Sequence, residues 1–451
     1  MSADGHVPGA IFSLLHRAFG DPEMEAIFSE DATVGSWLRT EAALARAQAS
    51  EGELDDARAE TIADACRLDN IDLPALWTDT ANVGYPILPL IRQITDALPE
   101  DARGSLHYGA TPQDIMDTGL SLQLAAAIAR LAALTDELGD ALAAQAEAHA
   151  DTVMAGRTHG QQAVPTTFGA KLATFLRQAS RLRDDLDALP AGTCLVSLHG
   201  AGGTSAGLGP RVDEIRRHMA QQLGLSTPDG PWHVTRDGLA GFAAVCARAA
   251  SVCARLAREV IDLSRTEIGE VQETVGHHRG ASSTMPQKAN PIDSEAIVGL
   301  AVNAASAAGG LYRAMEAGHE RSAGEWQVEW HSLPQVAVLA ASCLAVAGRV
   351  VRGLTPDPQR MEANLELEQG RTLAEAYMFQ LAPELGREGA HDLVYEAAMA
   401  SKTRRVELLE TLREVSDDPD QVAAMRPADY TGRARDEAVS AAAAWRGRGR
   451  A

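Results

Sequence analysis

The segment Gly280–Glu295 gathers the residue types that would handle negative charge in a reaction. It reads G-A-S-S-T-M-P-Q-K-A-N-P-I-D-S-E, so a serine pair, a lysine, an asparagine and a glutamate surround a glycine-led entry. Pro291 suits the first turn of a helix. A loop that runs into a helix start offers free backbone N–H groups and the positive end of the helix dipole. The segment therefore predicts a loop that binds a carboxylate or a developing oxyanion.

The same segment holds candidates for each need of proton removal next to a carboxylate. Such a step places two negative charges on one carboxyl group, so it requires a nearby cation and hydrogen-bond donors. Lys288 and Asn290 suit that need. A serine hydroxyl can serve as the base where backbone donors stabilise its alkoxide in a dry loop. The serines could instead cap the following turn, but the whole pattern favours a catalytic loop.

Two earlier segments carry polar side chains just before predicted helices. The first reads H-Y-G-A-T-P-Q-D-I-M-D-T-G and places Thr111 and Gln113 on a turn. The second reads G-R-T-H-G-Q-Q-A-V-P-T-T-F-G and contains Thr158 and His159. Histidine is the natural acid for protonating a leaving group near neutral pH. The alternatives are that Thr111 and Gln113 only form the turn, and that His159 is a buried histidine bonded to a backbone carbonyl.

The Gly280–Glu295 segment is similar to the signature of the fumarase/aspartase superfamily, G-S-S-x-M-P-x-K-x-N-P, with Ala281 as the departure at its start. The resemblance implies that Ser282 is the base, that His159 is the acid, and that Glu295 pairs with that histidine. A carboxylate behind the imidazole raises its basicity and fixes its tautomer. The resemblance also implies an all-α long-helix bundle and a homotetramer with a twenty-helix core, in which three subunits contribute to each active site.

Other segments resemble the 3-carboxy-cis,cis-muconate cycloisomerase branch of that superfamily: G-A-G-G-T-S-A-G-L-G, P-W-H-V-T-R-D with Arg236 as a candidate substrate ligand, G-E-W-Q-V-E-W-H-S-L-P, and L-A-E-A. That branch typically lacks the histidine and the glutamate that this chain keeps at positions 159 and 295. An internal lactonisation releases no group that must be protonated, whereas carbon–nitrogen or carbon–oxygen cleavage benefits from an acid. Adenylosuccinate lyase fits poorly as well, because Asp21 stands where that enzyme uses an arginine.

We therefore predict a lyase that removes a group from a small succinate derivative by anti-elimination and releases fumarate. The broken bond is predicted to be carbon to nitrogen, as in an aspartase-like or nitrosuccinate-lyase-like enzyme. The alternatives are a 3-carboxy-cis,cis-muconate cycloisomerase, an adenylosuccinate-lyase-like enzyme and, from a different class, an inactive helical scaffold. The small dicarboxylate is the expected partner, and no cofactor or metal is implied.

Helical periodicity dominates the rest of the chain. Apolar residues from Leu239 to Leu263 recur at steps of three and four, as packed helices require. Similar patterns cover 120–148, 166–189, 292–315 and 333–353, so five long helices predict a bundle. Strand signals are almost absent. Turn-rich breaks divide the chain into an N-terminal helical domain (1–110), a central bundle (111–355) and a C-terminal helical domain (356–451).

Composition excludes several classes of protein. The net charge of -22 disfavours a nucleic-acid surface. The five cysteines show no metal-ligand spacing, so they are expected as small core residues in a reducing cytoplasm. We expect neither a signal peptide nor an apolar run long enough to cross a bilayer, and therefore a cytoplasmic protein without a membrane partner.

Overall fold

The computed structural model describes residues 13–274, 276, 279–285 and 287–448, and within these residues the chain is mostly helical. Two short antiparallel ladders pair β1 (Val153–Thr158) with β2 (Gln161–Thr167), and β3 (Val271–Gln272) with β4 (Thr355–Pro356). In chain order the helices are α1 (Leu14–Phe19), α2 (Pro22–Ile27), α3 (Glu30–Ser50), α4 (Asp56–Ala65), α5 (Leu73–Val83), α6 (Ile87–Ala97), α7 (Pro112–Ala148), α8 (Phe168–Ala188), α9 (Pro190–Thr193), α10 (Val212–Leu223), α11 (Asp237–Leu263), α12 (Ile292–Ala314), α13 (Glu325–Gly353), α14 (Pro358–Glu366), α15 (Ala374–Arg404), α16 (Leu408–Val415) and α17 (Ala434–Arg446).

The five long helices predicted from periodicity are present as α7, α8, α11, α12 and α13, which confirms the all-α class. Helix α7 begins eight residues earlier than its apolar pattern, because the Thr111 N–H donates to the Asp114 carboxylate at 3.1 Å and Pro112 occupies the first turn. Helix α13 also begins earlier than predicted. It carries Pro334 in its interior, where a proline usually marks a boundary.

Alanine and leucine fill most of the helix contacts, because aromatic residues make up only 4% of the chain. The stripe on α11 from Leu239 to Leu263 is buried along its whole length. Four of the five cysteines are buried, and Cys66 is half-buried. Burial raises the pKa of the Cys194 thiol to about 11. This thiol therefore stays protonated at neutral pH, and the buried cysteines pack as small apolar side chains.

Three of the described helices, α7, α11 and α13, are long and apolar enough to cross a membrane by length and composition alone. The expectation that no apolar run of this length exists was therefore wrong. The physical reason is that bundle helices bury several faces against one another. More than half of the apolar window of each helix is buried inside the protein.

The chain divides into two compact units, each assembled from three stretches of sequence. Unit 1 comprises Met1–Thr135, Leu182–Ser251 and Gly299–Ala345. Unit 2 comprises Asp136–Arg181, Val252–Val298 and Val346–Ala451. The core of unit 1 packs side chains of α3, α4, α6 and α10 together, and one core of unit 2 lies between α15 and α16. The domain boundaries at residues 110 and 355 stay a prediction.

The β1–β2 hairpin was not predicted. Its strands are only six and seven residues long, and they overlap the segment G-R-T-H-G-Q-Q-A-V-P-T-T, which was predicted only to precede a helix. A bulge between Gly156 and Arg157 interrupts the register, so the usual alternation of apolar and polar residues is broken. The hairpin leads directly into α8 and packs against α14.

Candidate active site

The loop from Gly280 to Asn290 is closed at its base by the backbone. Ala281 and Ala289 form an isolated antiparallel bridge. The carbonyl of Gly280 accepts from the backbone N–H of Asn290 at 2.9 Å and from its side-chain amide at 3.0 Å. Gly280 has a φ of 66°, and a Cβ there would stand 2.5 Å from the Asn290 carbonyl oxygen, so only glycine fits. The Asn290 side chain thus holds the loop, and its role as a substrate ligand stays a prediction.

Ser282 lies inside this loop with its hydroxyl oxygen facing two backbone donors. The N–H groups of Met285 and Thr284 donate to Ser282 Oγ at 3.1 and 3.3 Å. Such donors cap a turn, and they would also stabilise an alkoxide if the serine lost its proton. Ser283 and Lys288 are both exposed. The geometry suits Ser282 better than Ser283 as the proposed base, and the role itself stays a prediction.

The start of α12 is not free to bind an anion, because a carboxylate of the chain already occupies it. Glu273 accepts from the backbone N–H of Asp293 at 3.2 Å and from that of Ser294 at 2.9 Å. The Ser294 hydroxyl also donates to Glu273. This contact was not predicted, because the glutamate lies about twenty residues before the helix turn that it caps.

Two acids in the first turn of α12 have different surroundings. Asp293 is buried and accepts from Arg349 at 3.1 Å through both carboxylate oxygens. Arg279, from the other side of the loop, also donates to Asp293. Glu295 is exposed. The buried acid therefore fixes the helix turn to its surroundings.

His159 occupies the tip of the β1–β2 hairpin. Thr158 pairs with Gln161, which leaves a two-residue turn of His159 and Gly160 with φ values of 53° and 75°. Positive φ at both positions is the mark of a type I′ turn, which matches the twist of the strands and favours glycine at the second position. His159 is exposed, so it is not a buried histidine satisfied by a carbonyl.

The stem of the hairpin is clamped by a buried ion pair just before the tip. The Arg157 guanidinium donates to both oxygens of Glu270, at 2.9 and 2.6 Å. Glu270 is 0% exposed and also accepts from the Asn364 amide at 2.8 Å. On the opposite strand the Gln162 amide donates to the Asn364 carbonyl at 2.9 Å. The tip therefore extends from a stem that is held at both strands.

In unit 1, Thr111 and Gln113 are buried and meet a cation that sequence reasoning missed. Arg321 donates through Nε to Gln113 Oε1 and through Nη2 to Thr111 Oγ1, each at 3.0 Å. The amide of Gln113 in turn donates to the His233 carbonyl at 2.9 Å. Arg321 is half-buried in the segment before α13, where no periodic pattern marks it. These contacts make Arg321 a candidate carboxylate ligand beside two predicted substrate ligands.

Arg236, the other candidate ligand in unit 1, is only 3% exposed and is shared between two carboxylates. It donates to Asp117 at 2.8 and 3.1 Å and to Glu329 Oε1 at 2.7 Å. Burial alone would lower the pKa of Arg236, but the two carboxylates raise it further above its ordinary value. Its contact with a substrate stays a prediction, whereas its contact with these acids links the segment before α11 to α7 and α13.

Asp114 fixes the loop that follows residue 198. Its carboxylate accepts from His233 Nε2 at 2.8 Å and from the backbone N–H groups of His199 and Gly200, both at 2.9 Å. Burial alone would raise the pKa of Asp114, but these hydrogen bonds hold it below its ordinary value. Burial and the charge of Arg216 lower the pKa of His199 to about 4, so this imidazole is neutral at pH 7.

An aromatic cluster lies at the start of α13. Trp326 and Trp330 lie one turn apart with their rings at 5.1 Å, and Tyr85 stacks on Trp326 at 5.8 Å. Trp330 and Tyr85 are partly exposed. The chain is poor in aromatic residues, so this concentration gives the start of α13 a distinct apolar character.

The structure brings some of the predicted residues together and leaves others apart. Thr111 and Gln113 share Arg321, and Ser282 and Asn290 share one closed loop. Across the residues described here, no hydrogen bond or ion pair joins His159 to Glu295 or to Ser282. Within those same residues, no group of three or more His, Cys, Asp or Glu side chains could hold a metal ion.

The chain is similar to known lyases and cycloisomerases. A family model described as a lyase matches residues 20–305. The chain is 40% identical over 423 residues to 3-carboxy-cis,cis-muconate cycloisomerase of Pseudomonas aeruginosa, covering 91% of this chain and 92% of that protein. It is 34% identical over 390 residues to N-acetyl-S-(2-succino)cysteine lyase of Dickeya dadantii, covering 86% of each.

Two solved structures are similar to this chain over nearly its whole length. The 3-carboxy-cis,cis-muconate lactonizing enzyme from Pseudomonas putida superposes with a TM-score of 0.89 at 34% identity, covering 96% of this chain and 99% of that one. A fumarate lyase from Mesorhizobium sp. BNC1 superposes with a TM-score of 0.88 at 35% identity, covering 94% and 98%.

Proposed function

Because the chain belongs to the fumarase/aspartase superfamily of lyases, we propose that it makes or breaks a bond next to a carboxylate, with the cyclisation of 3-carboxy-cis,cis-muconate as its reaction. The observation that carries this choice is the 40% identity to a cycloisomerase over nine-tenths of both chains. The carbon–nitrogen cleavage predicted from the sequence finds no support in the named relatives.

The loop around Ser282 supplies the proton transfer in this proposal. In the lactone-forming direction, a carboxylate oxygen of the substrate forms a bond to a carbon of the diene. The displaced electron pair moves to the carbon next to another carboxyl group, and Ser282 gives its hydroxyl proton to that carbon. The N–H groups of Thr284 and Met285 hold the alkoxide until water reprotonates it. In the reverse direction the same alkoxide is the base.

Cations and donors must hold the carboxylates of such a substrate. We assign this role to Lys288 on the loop that carries Ser282. Arg321, which donates to Thr111 and Gln113, is a separate candidate carboxylate ligand within unit 1. A guanidinium that already donates to two neutral side chains keeps its full charge, so it can attract a carboxylate without first breaking an ion pair. Arg236 supports α7 in this scheme, because its own guanidinium is engaged by Asp117 and Glu329.

A second candidate is an intermolecular elimination from a substituted succinate to give fumarate. The observation that favours it is the exposed His159 at the hairpin tip, together with Glu295 in the first turn of α12. An acid of this kind is needed only when a group departs. The relative that cleaves N-acetyl-S-(2-succino)cysteine shows that such chemistry occurs at 34% identity.

One experiment separates the two candidates. The purified protein is mixed with 3-carboxy-cis,cis-muconate and, in parallel, with aspartate, nitrosuccinate, adenylosuccinate and N-acetyl-S-(2-succino)cysteine. Ultraviolet absorbance follows the loss of the conjugated diene or the appearance of fumarate. We expect rapid loss of the carboxymuconate. Fumarate from any succinate derivative without carboxymuconate turnover would replace the first candidate by the second.

A further inference from the structure

The first turn of α12 has an anion site that the protein fills with its own side chain. Glu273 is 8% exposed and accepts from the N–H groups of Asp293 and Ser294 and from the Ser294 hydroxyl. Helix α12 is 23 residues long, so its N-terminal dipole adds to the attraction. A substrate carboxylate therefore cannot use these donors while Glu273 is in place.

This turn is connected to the loop that carries Ser282. Asn290 lies two residues before α12 and holds the base of the loop on Gly280. Asp293, inside the turn, is bonded to Arg349 and to Arg279, and Arg279 is adjacent to Gly280. A shift in the start of α12 would therefore move both ends of the loop together.

A cavity of about 660 Å³ lies beside this contact. Glu273, Arg279, Asn290 and Ile292 are among the residues that line it. If the glutamate side chain were removed, a small anion could enter through this cavity and reach the vacated N–H groups.

We propose that Glu273 is a positioning residue of the Ser282 loop. Its carboxylate occupies the helix-end anion site as a permanent internal ligand and so fixes the base of the loop. The inference rests on the proposed function, because it assumes that Ser282 transfers the proton. Glu273 does not touch the substrate in this scheme, so its loss should lower kcat and leave KM nearly unchanged.

The test is chemical rescue of Glu273→Ala by formate. We expect kcat to fall by about 100-fold, the order of loss that a small misplacement of a reacting group causes. Formate should restore much of this loss, because it supplies a carboxylate to the empty donors, and chloride at equal ionic strength should not. Glu273→Gln should not respond to formate, because its amide fills the space, and it offers one oxygen to these donors but an NH2 group in place of the other. Ser294→Ala removes one donor and should give a smaller loss.

Three controls make the outcome decisive. Glu267→Ala, which changes an exposed acid nearby, should keep the wild-type kcat. Adding Glu273→Ala to Ser282→Ala should cause no further loss if Glu273 acts through that serine. Formate should also raise the Tm of Glu273→Ala and leave that of the wild type unchanged. Wild-type kcat in Glu273→Ala, or no response to formate in either kcat or Tm, would overturn the inference.

The Tm measurement keeps this inference separate from the proposed function. If the wild type converted none of the substrates, the proposed function would fail. The formate-dependent rise in Tm would then decide alone whether the helix end is an anion site filled by Glu273.

Discussion

At the scale of single residues, the loop geometry distinguishes between two adjacent serines. Ser282 receives two backbone N–H groups, whereas Ser283 is exposed. This asymmetry was anticipated only through the family resemblance, because the spacing G-A-S-S by itself does not show which hydroxyl faces the donors.

The position of Arg321 was not anticipated at all. Its role beside Thr111 and Gln113 depends on contacts across about 210 positions of chain, which no local pattern encodes.

Substitution of the two serines tests the assignment of the proton-transfer group. Ser282→Ala should reduce kcat by about a thousandfold or more, because general-base and alkoxide-stabilising effects are of that order. Ser283→Ala is the matched control and should keep most of the activity. Circular dichroism should show the same helix content in both variants. A small loss of kcat in Ser282→Ala together with a large loss in Ser283→Ala would mean that the base is misassigned.

His159 should affect the two candidate reactions differently. In a lyase that expels a group, His159→Asn should slow the release of poor leaving groups such as a thiolate or ammonia far more than that of nitrite. In the cycloisomerase no group leaves, so kcat should change little. Steady-state rates of the variant on carboxymuconate and on each succinate derivative give the comparison. A large, equal loss on every substrate would assign the residue to substrate placement instead.

At the scale of elements, the long helices could be predicted from the sequence. The short hairpin and the contacts between separate elements could not. The stripe on α11 and the existence of the five long helices followed from apolar periodicity, because each helix buries one face along its length. The β1–β2 hairpin escaped prediction because it is short and bulged. The contact of Glu273 with α12 was not predicted, because sequence patterns for helix caps cover only the residues next to the helix start.

The segment before α7 is tied to α3 by an ion pair that should make stability depend on pH. His107 Nδ1 lies 2.6 Å from the buried Glu41 carboxylate. Burial alone would lower the pKa of His107, but the charges of Glu41 and Asp114 raise it above its ordinary value of about 6.5. A raised pKa in the folded state stabilises the protein fully below about pH 6.5, and that stabilisation is lost as the pH rises through the folded-state value.

Urea unfolding of the wild type and of Glu41→Gln at several pH values measures this effect. The difference in the free energy of unfolding between the two proteins should be larger at pH 5.5 than at pH 8.5. The comparison between variants cancels the titration of the other histidines. An equal difference at both pH values would show that Glu41 does not raise the pKa of His107 in the folded protein.

At the scale of the whole molecule, one chain leaves proposed site residues and apolar side chains exposed. His159, Lys288 and Glu295 are exposed, and Val302 and Tyr312 on α12 are 60% and 53% exposed. Large apolar side chains on a long helix face are typical of surfaces that another subunit covers. We therefore propose the homotetramer implied by the family resemblance, with each site completed by neighbouring subunits.

Light scattering tests the assembly. We expect a single species of four times the chain mass, and we expect Val302→Asp to reduce both the mass and the activity together. Exchanging an exposed residue away from α12, as in Glu267→Ala, should alter neither. A fully active monomer would contradict the proposal.

The division into two units has a consequence for spectroscopy. Trp37, Trp77, Trp232, Trp326 and Trp330 belong to unit 1, and Trp445 is the only tryptophan of unit 2. Intrinsic fluorescence will therefore follow the melting of unit 1, which suits the Glu41→Gln measurement. Intrinsic fluorescence will respond little to structural changes around Ser282 and Glu273. A Ser282 or Glu273 variant can thus have the emission spectrum of the wild type although the structure of unit 2 is altered. The fold of such a variant must be checked by calorimetry or far-ultraviolet circular dichroism.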